Sequence, residues 1–214
     1  MKGLLIKDFK LLKNQLTILF VIAIIAGVLV ITNYDPSFII GYLTSVYSIF
    51  VLSTISYDEL DNGNAFLFTL PFSRKLYVVE KYIFGIIMGL IGWALATFGG
   101  GFYLMVKTNT FSMLEWFTVA SSCVIILLFC LAIMIPFQLK FGAEKGRIAL
   151  FVVVFALIGI SSLVRLPDGV KESFLKQVNM LSNGALIGIG FLIAFIVLFL
   201  SMAISIRIQE KKEF

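Results

Sequence analysis

The 214-residue chain contains no histidine. That removes the commonest metal ligand and the usual general base, and with them every serine–histidine or cysteine–histidine pairing. No Gly-x-x-x-x-Gly-Lys-Ser/Thr run occurs, so the chain carries no phosphate loop with which to hydrolyse ATP by itself. We therefore expect no catalytic residue, no bound cofactor and no metal site. Cysteine is nearly absent. Cys123 and Cys130 stand seven residues apart in one apolar block, about 10 Å of helical rise, too far for a disulfide, and both read as small packing residues. Charged residues make up only 14% of the chain. They form no basic stripe interleaved with stacking aromatics, which argues against a nucleic-acid partner.

What is abundant is apolar sequence. Sixty per cent of residues are hydrophobic, the mean hydropathy is +1.06, and the apolar residues come in long blocks rather than scattered by period. Six blocks can be bounded, at 16–32, 38–56, 82–105, 117–137, 148–164 and 185–206, and none contains Asp, Glu, Lys or Arg. Each is near the ~17–25 residues that cross the hydrocarbon as a helix. Continuity within each block sets aside a transmembrane barrel, whose strands alternate. The expected fold is an all-α polytopic membrane protein, one domain over residues 1–214 with six transmembrane helices. Lys2, Lys7, Lys10 and Lys13 precede the first block, as in a signal peptide. Asn33-Tyr34-Asp35-Pro36 follows it in place of a small-x-small cleavage site, so we read a retained anchor.

Lysine and arginine set the orientation. Thirteen fall in the N-terminal segment, the loops 57–81 and 138–147, and the C-terminal tail. Four (Lys107, Arg165, Lys171 and Lys176) fall on the other side. The positive-inside rule places the first set, and both termini, in the cytoplasm. Tyr34, Tyr103 and Trp116 then mark outer interfaces, and Tyr57 and Tyr82 inner ones.

Several segments are not simple spans. Residues 1–15 form an amphipathic pattern, with Leu5, Phe9, Leu12 and Leu16 on one stripe and Lys7, Lys10 and Asn14 opposite. Lys13 sits at the edge, where it can snorkel. This is a helix lying on the inner membrane surface, either touching a cytosolic partner or only fixing topology. The loop after the second block opens with Asp58, Glu59 and Asp61, turns at Asn62-Gly63, and runs through Phe66, Leu67, Phe68 and Leu70 to Pro71. Asn64 can cap a short helix there, and Ser73 can cap the helix that carries Arg74, Lys75, Glu80 and Lys81 into the third span. Two readings fit the short helix: a knob held below the membrane, or an apolar turn that dips into the headgroups. The outer loop 165–184 carries Val170, Phe174, Val178 and Leu181 on one helical stripe, as a short outer helix or re-entrant cap would. Gly85-x-x-x-Gly89, Gly92 and Gly184-x-x-x-Gly188 would let helix backbones approach closely. Trp93, deep in the third block, reads as a packing residue rather than a ligand contact.

The opening MKGLLIKDFKLLKNQ, the YDEL at the end of the second block and the run FLFTLPFSRKLYVVEKY resemble the short type-2 ABC transporter permeases of bacteria. Leu70-Pro71, Ser73-Arg74 and Glu80-Lys81-Tyr82 carry most of the resemblance. It implies a plasma-membrane permease subunit without its own nucleotide-binding domain, paired as a homo- or heterodimer and driven by a separate ATPase subunit. Residues 1–15, with Leu5, Lys7, Phe9, Lys10 and Leu12, would be the interfacial helix. Residues 62–71 would hold the coupling helix that seats on the ATPase, with Asp58, Glu59, Asp61, Asn62, Gly63, Phe66, Leu67, Leu70, Pro71 and Arg74 forming the contact. Residues 165–184 would be the outer cap. Permeases of this size resemble exporters of amphipathic peptides such as phenol-soluble modulins, toxins or drugs, or systems giving bacteriocin immunity. Two further classes fit the same residues: a membrane immunity or scaffold protein that binds no ATPase, and a small channel or ion-coupled carrier. The carrier class lacks its usual mark, a charged residue within a span.

Overall fold

The structure, a computed structural model, describes residues 2–13, 15–32, 35–60, 63–107, 112–163 and 182–212. The described chain runs as α1 (Lys2–Lys13), α2 (Leu16–Ile31), α3 (Pro36–Glu59), the short α4 (Gly63–Leu67), α5 (Arg74–Lys107), α6 (Met113–Leu163) and α7 (Asn183–Lys211), with no strand among the described residues. Local chemistry starts the long helices. Asp35 accepts a hydrogen bond from the Ser37 amide at 2.9 Å with Pro36 as the first helical residue, Ser73 accepts from Leu76 at 3.2 Å, and Ser182 accepts from Ala185 at 3.3 Å. The Ser73 cap is the one anticipated from sequence. It opens a single 34-residue helix, about 51 Å long, which overreaches the ~30 Å hydrocarbon core, so one end of α5 projects from it.

Four helices are long and apolar enough to cross a membrane: α3, α5, the part of α6 from Met113 to Gly142, and α7. The bent pair α1 and α2, meeting at 67°, makes five if counted as one span. The expected six-span layout is thus matched only in part. The 16-residue α2 reaches about 24 Å on its own. The fifth block, 148–164, lies almost wholly in the part of α6 beyond Gly142, where a break in the helical backbone sets it apart from the span Met113–Gly142. The expected connection 138–147 is short: the helical backbone breaks within it at Gly142, whose φ of 77° is open to glycine and strained for other residues, and is helical on either side. Gln138 is fully buried within this stretch and donates to Ser56 Oγ at 3.0 Å. The expected outer cap at 165–184 falls almost wholly outside the described residues.

α3 is the central helix. Sixty-one per cent of its most apolar window is buried, against 17% for α7, which stands at the edge of the bundle. Ile40, Val51 and Ile55 of α3 are inaccessible, as are Val78 and Phe84 of α5 and Leu131 and Ile135 of α6. Polar groups join the helices as well. Trp93 Nε1 donates to the Ala120 carbonyl at 2.8 Å and Trp116 Nε1 to Thr97 at 3.2 Å, both linking α5 to α6. Tyr82, the first residue of the third apolar block, is 2% exposed. Its hydroxyl bonds to Ser201 and Ser205 of α7 at 2.6 and 2.9 Å, because serines facing it satisfy a phenol that would otherwise need the headgroup region.

The small residues of α5 do let helices close up. A methyl group at Gly85 would lie 2.7 Å from Leu131 of α6, and one at Gly92 would lie 2.7 Å from the Leu43 carbonyl of α3. The second clash is with backbone, which cannot swing aside. Gly92→Val is therefore expected to destabilise the solubilised protein by about 1–3 kcal/mol. Gly99→Val, where nothing lies within 4 Å, carries the same change in helix propensity without the clash. A thermal melt that ranks the two variants equally would show that the α3–α5 contact is not this tight. Gly184 and Gly188 likewise have nothing within 4 Å, so the second glycine pair brings no described helix close.

Candidate functional site

At the end of the bundle where α1 lies, three helices converge on a buried cluster of charge. Lys81 of α5 is inaccessible. Its Nζ lies 2.5 Å from Asp8 Oδ2 of α1, 2.9 Å from Asp58 Oδ2 of α3 and 3.2 Å from Thr54 Oγ1. Lys7 of α1 completes the arrangement, 2.5 Å from Asp58 Oδ1 and 3.3 Å from Asp8 Oδ1. The Tyr77 hydroxyl donates to Asp58 Oδ2 at 3.1 Å, and its ring lies under the Lys81 ammonium at 5.1 Å. Glu80, also inaccessible, stands 3.7 Å from Lys81 Nζ. Desolvating such charges is costly, and only close, multiply hydrogen-bonded geometry offsets that cost. The cluster therefore holds together while α1, α3 and α5 keep their present register.

This corrects the helical face inferred for α1. Its buried residues are Leu4, Asp8 and Leu12, spaced i, i+4, i+8. Leu5 is half-buried, and Phe9 is 42% exposed while meeting Phe84 edge-on at 5.4 Å. Lys7, expected opposite the apolar stripe, turns inward because Asp58 is there to receive it; Lys10 stays exposed. The register carried a signal. Asp8 shares the inward face with Leu4 and Leu12, and an acid at an apolar position calls for a buried cation. Asp8, Thr54 and Tyr77 are residues that sequence reasoning missed, and Lys81, which it noted at the entry to the third span, it left without a site role.

A second set of ties lies beside the first. Arg74, at the start of α5, donates from one guanidinium nitrogen to the carbonyls of Gln209, Glu210 and Lys212, at 2.9, 3.0 and 2.5 Å. It thereby satisfies the open carbonyls at the end of α7, where positive charge is favoured. Lys212 reaches Glu59 Oε1 at 3.1 Å, joining the end of α7 to the end of α3.

Between these ties sits α4. Gly63 lies against the last turn of α3, where a methyl group would come within 2.9 Å of the Asp58 carbonyl. The helix begins at Gly63, so Asn64 falls inside it, buried, rather than capping it. The residues after Leu67 continue as hydrogen-bonded turns, Thr69 to Phe66 and Leu70 to Leu67, up to an exposed Pro71. Side chains divide by direction. Leu67 is 8% exposed and faces the bundle; Phe66 is 72% and Leu70 43% exposed. Phe68 is half-buried, meeting Tyr77 at 5.5 Å and Phe72 at 5.9 Å, with the Arg74 guanidinium 5.5 Å above its ring.

The sequence-predicted residues thus fall into two groups. Phe66, Leu70 and Pro71 present an outward surface. Asp58, Glu59, Gly63, Leu67 and Arg74 brace it from within, and Asp58 in particular spends its charge on Lys7, Lys81 and Tyr77 instead of facing outward. Asp61 and Asn62 lie outside the described residues. No group of three or more Cys, Asp or Glu suited to a metal occurs among the described residues. This end thus presents an apolar surface on a short helix, backed by ion pairs that reach α1 and α7.

No curated protein and no solved structure matches the chain. The family model described as ABC-2 family transporter protein matches residues 3–210, so the chain belongs to that family, as a multi-pass membrane permease of an ABC transporter, a type of subunit that is generally not itself an enzyme.

Proposed function

We propose that this permease exports an amphipathic or hydrophobic substrate, a peptide, toxin or drug, using ATP hydrolysed by a separate subunit. The observation that carries the reading is α4: an apolar pair, Phe66 and Leu70, exposed on a segment whose other side is fixed by Leu67 and by the ion pairs at the ends of α3 and α5. Exposed apolar side chains on a braced support suit a pocket on a partner better than a mobile loop does, because less ordering entropy is lost on docking. The partner of this knob is the ATPase. A second permease subunit, identical or related, completes the transporter in a bacterial plasma membrane, with both termini, α1 and α4 on the cytoplasmic side. That orientation rests on the asymmetry of lysine and arginine.

Force passes from α4 along two routes. Asp58 connects the α3 end of the knob to α1 through Lys7 and to α5 through Lys81. Arg74 connects the α5 end to α7. A displacement of α4 by the ATPase would then move α1, α3, α5 and α7 together rather than bend one loop.

The test separates this reading from a carrier. Export should stop when ATP is depleted and persist when the proton gradient is collapsed at constant ATP. An ATPase bearing a phosphate loop should copurify with the solubilised permease. Export that ends with the gradient while ATP is held constant would make the protein an ion-coupled carrier.

A further inference from the structure

An apolar groove of about 470 Å³ opens where α1 bends into α2, walled by α3 and α5. Leu12 and Phe20 line it on one side and Tyr47, Met88 and Leu95 on the other, with Lys13 at one end. The volume lies within the range of small-molecule sites, about 300–1,000 Å³. Along α5 the lining runs from Met88 to Leu95, about 10 Å of rise and within the depth of a single leaflet, and across the bend it runs from Phe9 of α1 to Phe20 of α2. Its lining includes no acidic residue.

Charge names the occupant. The only acid of α1, Asp8, is buried against Lys81. Lys2, Lys10 and Lys13 are exposed, so the outward surface of this helix carries positive charge alone. A second copy of the chain seated symmetrically here would set lysine against lysine. An inner-leaflet phospholipid with a negative headgroup supplies both the missing chain and the missing charge.

We propose that the groove binds one anionic phospholipid, with an acyl chain lying between Phe20 and Met88 and the phosphate on Lys13. The lipid would fill the angle between α1 and α2 and so hold α1 in the position from which Asp8 and Lys7 reach Lys81 and Asp58.

The full-length chain, purified in mild detergent and given phosphatidylglycerol or phosphatidylcholine, should retain the first in preference to the second by native mass spectrometry. Lys13→Gln should lower phosphatidylglycerol retention about fivefold, the equivalent of about 1 kcal/mol per basic side chain at an anionic surface, and erase the preference. Lys13→Arg should keep it. Ile91→Trp, placed at a half-open position of the lining, should fill the groove and lower retention of both lipids. Unchanged phosphatidylglycerol retention in Lys13→Gln, or of both lipids in Ile91→Trp, would overturn the site. So would disulfide crosslinking through Ile91→Cys between two chains carrying Cys123→Ala and Cys130→Ala, which would show a second copy in the groove.

Discussion

Lys81→Met is expected to cost the folded permease about 3–5 kcal/mol, because it leaves Asp8 and Asp58 buried with Lys7 as the one cation still paired with both. A typical domain has only about 5–15 kcal/mol of stability in all. The variant should accumulate poorly in membranes and melt early after solubilisation. Two further substitutions make the result specific. Lys75→Met removes a cation from the same helix, but one that is 67% exposed and 3.7 Å from Glu210. The loss of such a surface pair is worth about 0–1 kcal/mol. Adding Asp8→Asn to Lys81→Met removes one stranded charge and should recover part of the loss. The two residues are in contact, so their effects will not add. A Lys81→Met permease that melts with the wild type would mean that the cluster does not hold α1 to the bundle.

Phe66→Ala and Leu70→Ala are expected to leave a folded, inserted permease that docks its ATPase about ten- to a hundredfold more weakly. Burying one large apolar side chain at a contact is worth about 1.5–3 kcal/mol. Phe66 is 72% and Leu70 43% exposed, so their loss should disturb the bundle less than the loss of a core side chain. Leu67→Ala reports on the opposite side of the same segment. At 8% exposure it behaves as a core truncation, about 2–5 kcal/mol, and lowers abundance rather than docking alone. Phe68→Ala should fall between these, since its ring rests on Tyr77 and Phe72 under Arg74. The measurement is pull-down of the ATPase with substrate-stimulated hydrolysis, normalised to permease abundance. If Phe66→Ala and Leu70→Ala both bind and stimulate as wild type, α4 is a connector and the knob lies elsewhere.

The two results together address how the parts cooperate. In the proposed reading Lys81 holds the support and Phe66 forms the contact. A variant with an intact knob on a weakened support, such as Tyr77→Phe, which removes the hydroxyl donated to Asp58, should dock normally and stimulate less. That pattern would place the ion cluster in transmission rather than in docking.

The sequence by itself determined the class of this protein and most of its helical inventory. Uncharged apolar blocks must be helical in lipid, since every backbone polar group needs an internal partner there. Ser73 opened a helix where a hydroxyl could accept its first free amide. The closely spaced glycines of α5 marked where its neighbours approach, and the deep Trp93 found a carbonyl on α6 as a buried indole must. The outward Phe66 and Leu70 were also legible as a short apolar segment between turns. Only the tertiary structure decided which charges are surface and which are core. A window of hydropathy leaves Lys7, Asp8, Asp58 and Lys81 outside the core, because each is polar: Asp58 and Lys81 lie just outside an apolar block, and Lys7 and Asp8 in the surface helix that precedes the first. Their pairing spans up to 73 residues of chain, from Asp8 to Lys81, and depends on how α1 folds back against α3 and α5. Tyr82 and Gln138 went inward for the same reason: serines on neighbouring helices were there to satisfy them. Local pattern fixes what a segment can form. Which side of it faces inward is fixed by the partners that three-dimensional packing brings to it.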